Sequence, residues 1–241
     1  MRLALAGDTM LGRQVAQAIT AAERPLWSPE IVAAAGEGDL FIINLECCIS
    51  ERGQRWPDPR KPFFFRAPPV AAELLAQIGV DCVTLANNHA LDYGEQALLD
   101  TLEHLPAAGI ASVGAGANVI GARAPVVLER FGFRLAVLGF ADHPAAFAAG
   151  PDRAGIAYAD LQGEAVGDWL ADALATARSS ANAVLVAPHW GPNMTVRPAP
   201  YIRRAARALL LAGATLVAGH SAHVIHGAER GGPVRPRGLP G

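Results

Sequence analysis

Seven short apolar runs recur along this chain, at residues 3–6, 40–45, 82–86, 125–128, 134–140, 183–187 and 215–218. Most are continuous and do not alternate with polar residues. A strand that is apolar at successive positions needs cover on both faces, which a second layer of helix or sheet must supply. Helical periodicity fills the intervals. Val166, Trp169, Leu170, Ala173, Leu174 and Ala177 recur at helical spacing, as do Ile202, Ala205, Ala206, Leu209 and Leu210, with Arg203, Arg204 and Arg207 on the other side. Residues 96–105 put Leu98, Leu102 and Leu105 on one face ahead of Gly109, and residues 68–78 open on prolines and stop at Gly79. Strand–helix alternation of this kind predicts an α/β layered domain.

The 241 residues are 51% hydrophobic and 17% charged, which suits a packed core and argues against disorder. A net charge of −2 gives no reason to expect nucleic acid or an anionic membrane as partner. Cys47, Cys48 and Cys82 form no CxxC pair, so neither a disulfide framework nor a thiolate zinc site is expected, and a reducing compartment is the natural setting. The apolar stretch before Gly7-Asp8 is too short for a signal peptide. No run approaches the ~20 apolar residues of a transmembrane helix. The expectation is a cytoplasmic chain with one domain over residues 1–229. Residues 230–241, rich in Gly, Pro and Arg, are expected to form a disordered or truncated tail. Nothing in the composition sets an oligomeric state. Residues 50–69, with Arg52, Arg55, Arg60, Lys61 and Arg66, read as a long loop near the site. Its basic charge either attracts an anion or is simply solvated.

Five of the runs end in residues that ligate metals. Asp8 follows the first, as a ligand or a helix cap, before a helix expected near Gly12-Arg13. Glu46 follows the second; Asp39 starts that run and so belongs to its opposite end, whereas sites in α/β sheets gather at carboxyl ends. Asn87-Asn88-His89 follows the third, with Asp92 three residues on and able to orient His89. His189 ends the run at 183–187, and His220 and His223 follow the last, three residues apart after a glycine. His143 also follows a strand and is a weaker candidate for the site. Carboxylate, amide and imidazole groups at converging strand ends point to a divalent metal centre, with Mn, Fe, Zn, Mg and Co all open.

These segments resemble a known family. Gly7-Asp8-Thr9-Met10-Leu11-Gly12-Arg13, Asn44-Leu45-Glu46, Ala86-Asn87-Asn88-His89 with Asp92-Tyr93-Gly94, Gly114-Ala115-Gly116, His189-Trp190-Gly191 and Gly219-His220-Ser221-Ala222-His223 occur in the order of the CapA family of capsule and poly-γ-glutamate biosynthesis proteins, a branch of the calcineurin-like metallophosphoesterases. The resemblance implies a four-layer metallophosphoesterase-like sandwich of two mixed β-sheets between helices. It also implies one or two divalent ions. One would be held by Asp8, Glu46 and His223, the other by Glu46, Asn88, His189 and His220, with Glu46 bridging. His89, supported by Asp92, would be the acid facing the leaving group, and Arg13 would contact an anionic substrate. Two departures stand out. Met10 replaces the histidine that the wider superfamily carries two residues after the aspartate, and Glu46 replaces a bridging aspartate. Relatives continue beyond the HxxH segment into another strand, so the second sheet is expected to lack a C-terminal strand, or the sequence to be truncated.

The function expected is metal-assisted hydrolysis of an anionic substrate, either a phosphoester or a polyglutamate-like polymer. The alternatives are a non-enzymatic assembly or binding protein for an anionic polymer, and a metal-dependent amidase on the same site.

Overall fold

The computed structural model describes residues 1–22, 25–162 and 167–230. Strand β2 (Leu40–Leu45) shows in six residues how the layers are built. Leu40 and Ile42 face one apolar cluster, Ile43 and Leu45 another, as the two-residue period of a strand requires. The first sheet has the order β1-β2-β5-β6 and is parallel throughout, with β1 (Leu3–Thr9), β5 (Cys82–Thr84) and β6 (Ala111–Val113). The second has the order β12-β11-β9-β8, from β8 (Val126–Arg130), β9 (Phe133–Ala141), β11 (Ala183–His189) and β12 (Leu216–Val217). Here β9, β11 and β12 are parallel, while β8 returns antiparallel through Phe131 and Gly132. Both residues have positive φ (53° and 76°), the conformation that closes a two-residue hairpin. Two short pairs complete the strands, β3 (Cys48–Ile49) with β4 (Arg66–Ala67) and β7 (Ala115–Gly116) with β10 (Gly155–Ile156).

Leu40, Ile42, Cys82 and Val113 of the first sheet pack against Leu135, Val137 and Leu185 of the second, so the sheets lie face to face. The outer face of the first is covered by α1 (Arg13–Ala21), α3 (Val70–Gln77) and α4 (Gly94–Ala107), through Ile19, Leu75, Leu98 and Leu105. That of the second is covered by α5 (Val119–Arg123), α6 (Asp168–Ser180) and α7 (Pro200–Ala212), through Ala122, Leu170, Leu174, Ile202 and Leu209. A further helix, α2 (Pro29–Ala35), starts where Ser28 Oγ accepts the Ile31 N–H. Helices, sheet, sheet and helices make the four-layer α/β sandwich that the sequence led us to expect.

Two details differ from expectation. The first sheet is not mixed, because helices return the chain between its strands and keep them parallel. Strand β1 does not stop before Asp8: a register shift between Ala6 and Asp8 carries it through to Thr9. Val166, expected in the helix now seen as α6, lies outside the described residues, as does the tail from residue 231.

The basic loop is fastened down. Asp100 on α4, whose side chain is 5% exposed, accepts from Ser50 Oγ (2.6 Å), Arg52 Nε (3.1 Å) and Gln96 Nε2 (3.3 Å). Arg60 pairs with Asp58, Lys61 with Asp92, Arg55 stands over Phe64 and Arg66 over Tyr93. All five basic side chains of the loop therefore have protein partners. The Arg52 guanidinium and the other donors hold the Asp100 carboxyl down at about 2. The unfolded value is near 3.8, so this contribution to stability is complete above that pH and is lost as pH falls through about 2. Asp100→Asn is expected to lower stability at pH 7 by ~1–3 kcal/mol. The gap from the parent protein should close on acidification, as thermal melts of both at several pH values will show.

Candidate metal centre

The alternation that puts Leu40 and Ile42 between the sheets continues to Asn44, and Glu46 follows just beyond the end of β2. The same holds on β11, where Leu185 is followed at two-residue steps by Ala187 and His189. The site is thus the polar end of the inter-sheet core, where β2 and β11 present their carboxyl ends to each other.

Asn44 organises it. Its Nδ2 donates to Asp8 Oδ1 (2.7 Å) and lies 3.3 Å from His189 Nδ1. Its Oδ1 accepts from Asn87 Nδ2 (3.1 Å), which also donates to the Leu45 carbonyl (2.8 Å). Asn87 Oδ1 in turn accepts the His89 N–H (3.0 Å). Asp8 Oδ2 lies 2.8 Å from His223 Nδ1, and Asp8 Oδ1 lies 3.8 Å from His220 Nδ1. Both imidazoles reach Asp8 because Ser221 and His223 adopt positive φ (98° and 54°), a conformation costly for residues other than glycine. Ser221 Oγ ties that turn to the Gly191 carbonyl (3.1 Å).

Glu46 is 4% exposed, and its Oε1, 3.4 Å from His189 Nδ1, makes no hydrogen bond among the described residues. Burial pushes its carboxyl up to about 8, with Asp8 and Asp92 adding to the effect and Lys61 opposing it. His189 is driven well below its ordinary value by burial and then by the imidazoles around it, and His220 is lowered by burial. Ligand atoms of Asp8, Glu46 and His189 lie within 4.8 Å of one another. Asn88 Oδ1 is also buried without a partner. The orphaned Glu46 Oε1, clustered with ligand atoms of Asp8 and His189, fits a divalent cation, whose binding would satisfy it.

His89 stands beside this cluster. Its Nδ1 is 2.7 Å from Asp92 Oδ2, and the Phe65 ring stacks on it at 4.2 Å between centroids. Burial lowers its pKa against the raising effect of Asp92. Because a carboxylate accepts at Nδ1, the proton of the neutral ring sits there and Nε2 is free to exchange a proton. Asp92 is fully buried and also accepts from the Phe65 N–H (2.6 Å), with Lys61 Nζ 2.9 Å away.

Met10 does not point its sulfur to a ligand role; the Sδ accepts the Gly12 N–H at 3.0 Å. Arg13 has φ 55° and its guanidinium lies 5.7 Å from the Phe63 ring. A Cβ on Gly12 would come 2.9 Å from the Arg66 backbone nitrogen, so only glycine lets this turn lie on the loop. Gly12→Ala is expected to displace Arg13 and lower affinity for an anionic ligand severalfold, read as KM or as a phosphate inhibition constant. His143 is a neighbour of the cluster, its ring 5.5 Å from that of His189 and its Nδ1 bonded to Asp142. Asp39 sits at the far end of β2, where it accepts the Arg2 N–H.

Of the nine residues singled out in the sequence, Asp8, Glu46 and His189 form the cluster and His220 and His223 adjoin it at Asp8, while His89 pairs with Asp92 and the Asn88 carbonyl takes the Lys61 ammonium that faces Asp92. Arg13 lies at the edge, on Phe63. Glu46 is close to His189, whereas Asp8 is the carboxylate that meets His220 and His223. Sequence reasoning passed over Asn44 and Lys61. Asn44 carried a signal, since it stands on the inter-sheet face of β2, two residues before Glu46.

Residues 2–234 match the family described as bacterial capsule synthesis protein PGA_cap. The chain belongs to this capsule synthesis family. Over 196 residues it is 34% identical to a probable polyglutamine synthesis accessory protein of Mycobacterium tuberculosis, covering 77% of this chain and 50% of that one. It is 27% identical over 232 residues to the capsule biosynthesis protein CapA of Bacillus anthracis, covering 93% and 55%. The chain spans about half the length of the curated relatives it matches. Among solved structures, a hypothetical protein from Thermus thermophilus aligns with a TM-score of 0.50 at 20% identity, covering 93% of this chain and 69% of that one, a likeness of fold alone. Among the described residues, no helix of this capsule synthesis family member is long and apolar enough to cross a membrane.

Proposed function

We propose that this chain is a divalent-metal-dependent hydrolase that acts on an anionic substrate, a phosphoester or a polyglutamate-like polymer, in capsule or poly-γ-glutamate biosynthesis. The observation that carries the reading is the unpartnered buried Glu46 Oε1 at a cluster that also contains Asp8 and His189. Asp8, Glu46, Asn88, His189, His220 and His223 would hold the metal. A bound divalent ion supplies Lewis-acid stabilisation of the charge that develops on the scissile centre. Asn44 keeps Asp8 turned inward. His89 moves a proton at Nε2 to the leaving group, and the Asp92 carboxylate stabilises the imidazolium that this requires. Arg13 contacts the anionic part of the substrate.

The test is turnover by metal-stripped protein before and after Mn or Zn is restored, on an aryl phosphate and on a γ-glutamyl peptide. Restored phosphoester hydrolysis supports the reading. Cleavage of the γ-glutamyl bond alone would move the function to the amidase. A protein that binds no metal and cleaves neither substrate would leave the non-enzymatic role, which the accessory-protein name of the Mycobacterium relative favours.

A further inference from the structure

Lys61 is the only lysine among the 20 Lys and Arg residues of the chain. Its side chain is 14% exposed, and its Nζ lies 5.8 Å and 5.6 Å from the centroids of the Phe64 and Phe147 rings. There it donates to the Asn88 carbonyl at 2.7 Å and pairs with Asp92 Oδ1 at 2.9 Å, so that it touches residues on both sides of His89 in the chain. An ammonium is compact and can turn separate N–H groups to a carbonyl and a carboxylate, whereas the rigid fork of a guanidinium suits one planar partner.

The other contacts come from the same loop. The Trp56 N–H donates to the Asp92 carbonyl (2.9 Å) and the Phe65 N–H to Asp92 Oδ2 (2.6 Å), while the Phe65 ring lies on that of His89. Asp92 is fully buried, and its Oδ2 is 2.7 Å from His89 Nδ1. Each carboxylate oxygen therefore has its own neighbours, Lys61 at Oδ1 and both the Phe65 N–H and His89 at Oδ2. This fixes the rotation of the carboxyl group, and with it the plane and tautomer of the imidazole. Among the described residues nothing else bonds to Oδ1. Without the ammonium it would be a buried charged oxygen that gains by turning to another donor. We propose that Lys61 is a positioning residue for His89, acting through Asp92 and the Asn88 carbonyl. This rests on the hydrolase reading for the proton that His89 delivers, but the positioning itself is measurable without turnover.

Two measurements on the parent protein and on Lys61→Met test it, with circular dichroism as the check of fold. The first is the NMR signal of the His89 Nδ1 proton in metal-free protein, assigned by its absence in His89→Ala. The signal is expected in the parent protein, protected by its bond to Asp92, and lost to solvent exchange in Lys61→Met. The second is hydrolysis by Mn-loaded protein of p-nitrophenyl phosphate, whose leaving group departs without a proton, and of phenyl phosphate, whose leaving group needs one. A positioned acid contributes about 10²–10⁴-fold, so Lys61→Met should lose roughly 10–100-fold in kcat on phenyl phosphate and less than about threefold on p-nitrophenyl phosphate. An unchanged signal, or equal losses on the two substrates, would overturn the inference while leaving the hydrolase reading intact. No hydrolysis by the parent protein would remove the hydrolase reading, and the NMR signal would then decide the positioning alone. Should Lys61→Met not fold, Lys61→Gln, which keeps a donor without the charge, takes its place.

Discussion

His189→Ala and Glu46→Ala are each expected to reduce metal-dependent turnover by about 10²–10⁴-fold, the equivalent of the several kcal/mol that a bound metal contributes to a hydrolytic transition state. His189 is 1% exposed and lies 3.4 Å from Glu46 Oε1, so each variant removes a buried group from the heart of the cluster. The loss should appear mainly in kcat. Metal affinity, measured separately, should fall with it. His89→Ala is a useful contrast, because it should lower turnover while the ion still binds. Turnover by His189→Ala within tenfold of the parent protein would mean that the cluster is not the reacting centre.

The metal-free protein is expected to lose stability between pH 6.5 and 8, and a divalent ion should abolish the loss. In the fold the Glu46 carboxyl keeps its proton up to about 8, whereas the unfolded chain releases it near 4.5. A raised folded pKa gives stability that is complete below the unfolded value and lost as pH rises through the folded one. The buried His89, His189 and His220 act in the other direction: their lowered values cost stability as pH falls below their ordinary value of 6.5. Between 6.5 and 8 Glu46 is therefore the main group of the empty centre that changes. One proton of difference corresponds to ~1.4 kcal/mol per pH unit, or roughly 2 kcal/mol over this window. An ion at a thousand times its dissociation constant adds about 4 kcal/mol, a rise of roughly 10 °C in Tm for a chain of this size. Melting curves in EDTA and in Mn across the window measure both effects. An unchanged or rising Tm in EDTA would contradict the account of Glu46.

Much of the site was legible because the period of a strand carries chemistry along with apolarity. Runs ending in Asp8, Glu46 and His189 announced strands whose carboxyl ends bring these side chains together, and Asp39 was assigned to the far end of β2, where it lies. The Asp92 side chain three residues from His89 was a local relation, and it appears as a 2.7 Å contact. Elements made by short or irregular backbone were not legible. The pairs β3 with β4 and β7 with β10 are two residues each, too short to leave a pattern, and β12 is equally short. The basic loop read either as available to an anion or as solvated. Its side chains are instead taken up by Asp58, Asp92, Asp100, Phe64 and Tyr93, partners up to 48 residues away.

The sequence by itself determined the layered α/β class, the helical faces and the residues that end each strand, because propensity and periodicity act over a few neighbouring positions. Only the tertiary structure decided how those ends meet. It set Asn44 between Asp8 and His189, from strands in different sheets, and brought Lys61 across 27 residues to Asn88. Contacts of that kind depend on how two sheets stack and how one loop folds over them, and no local pattern encodes either.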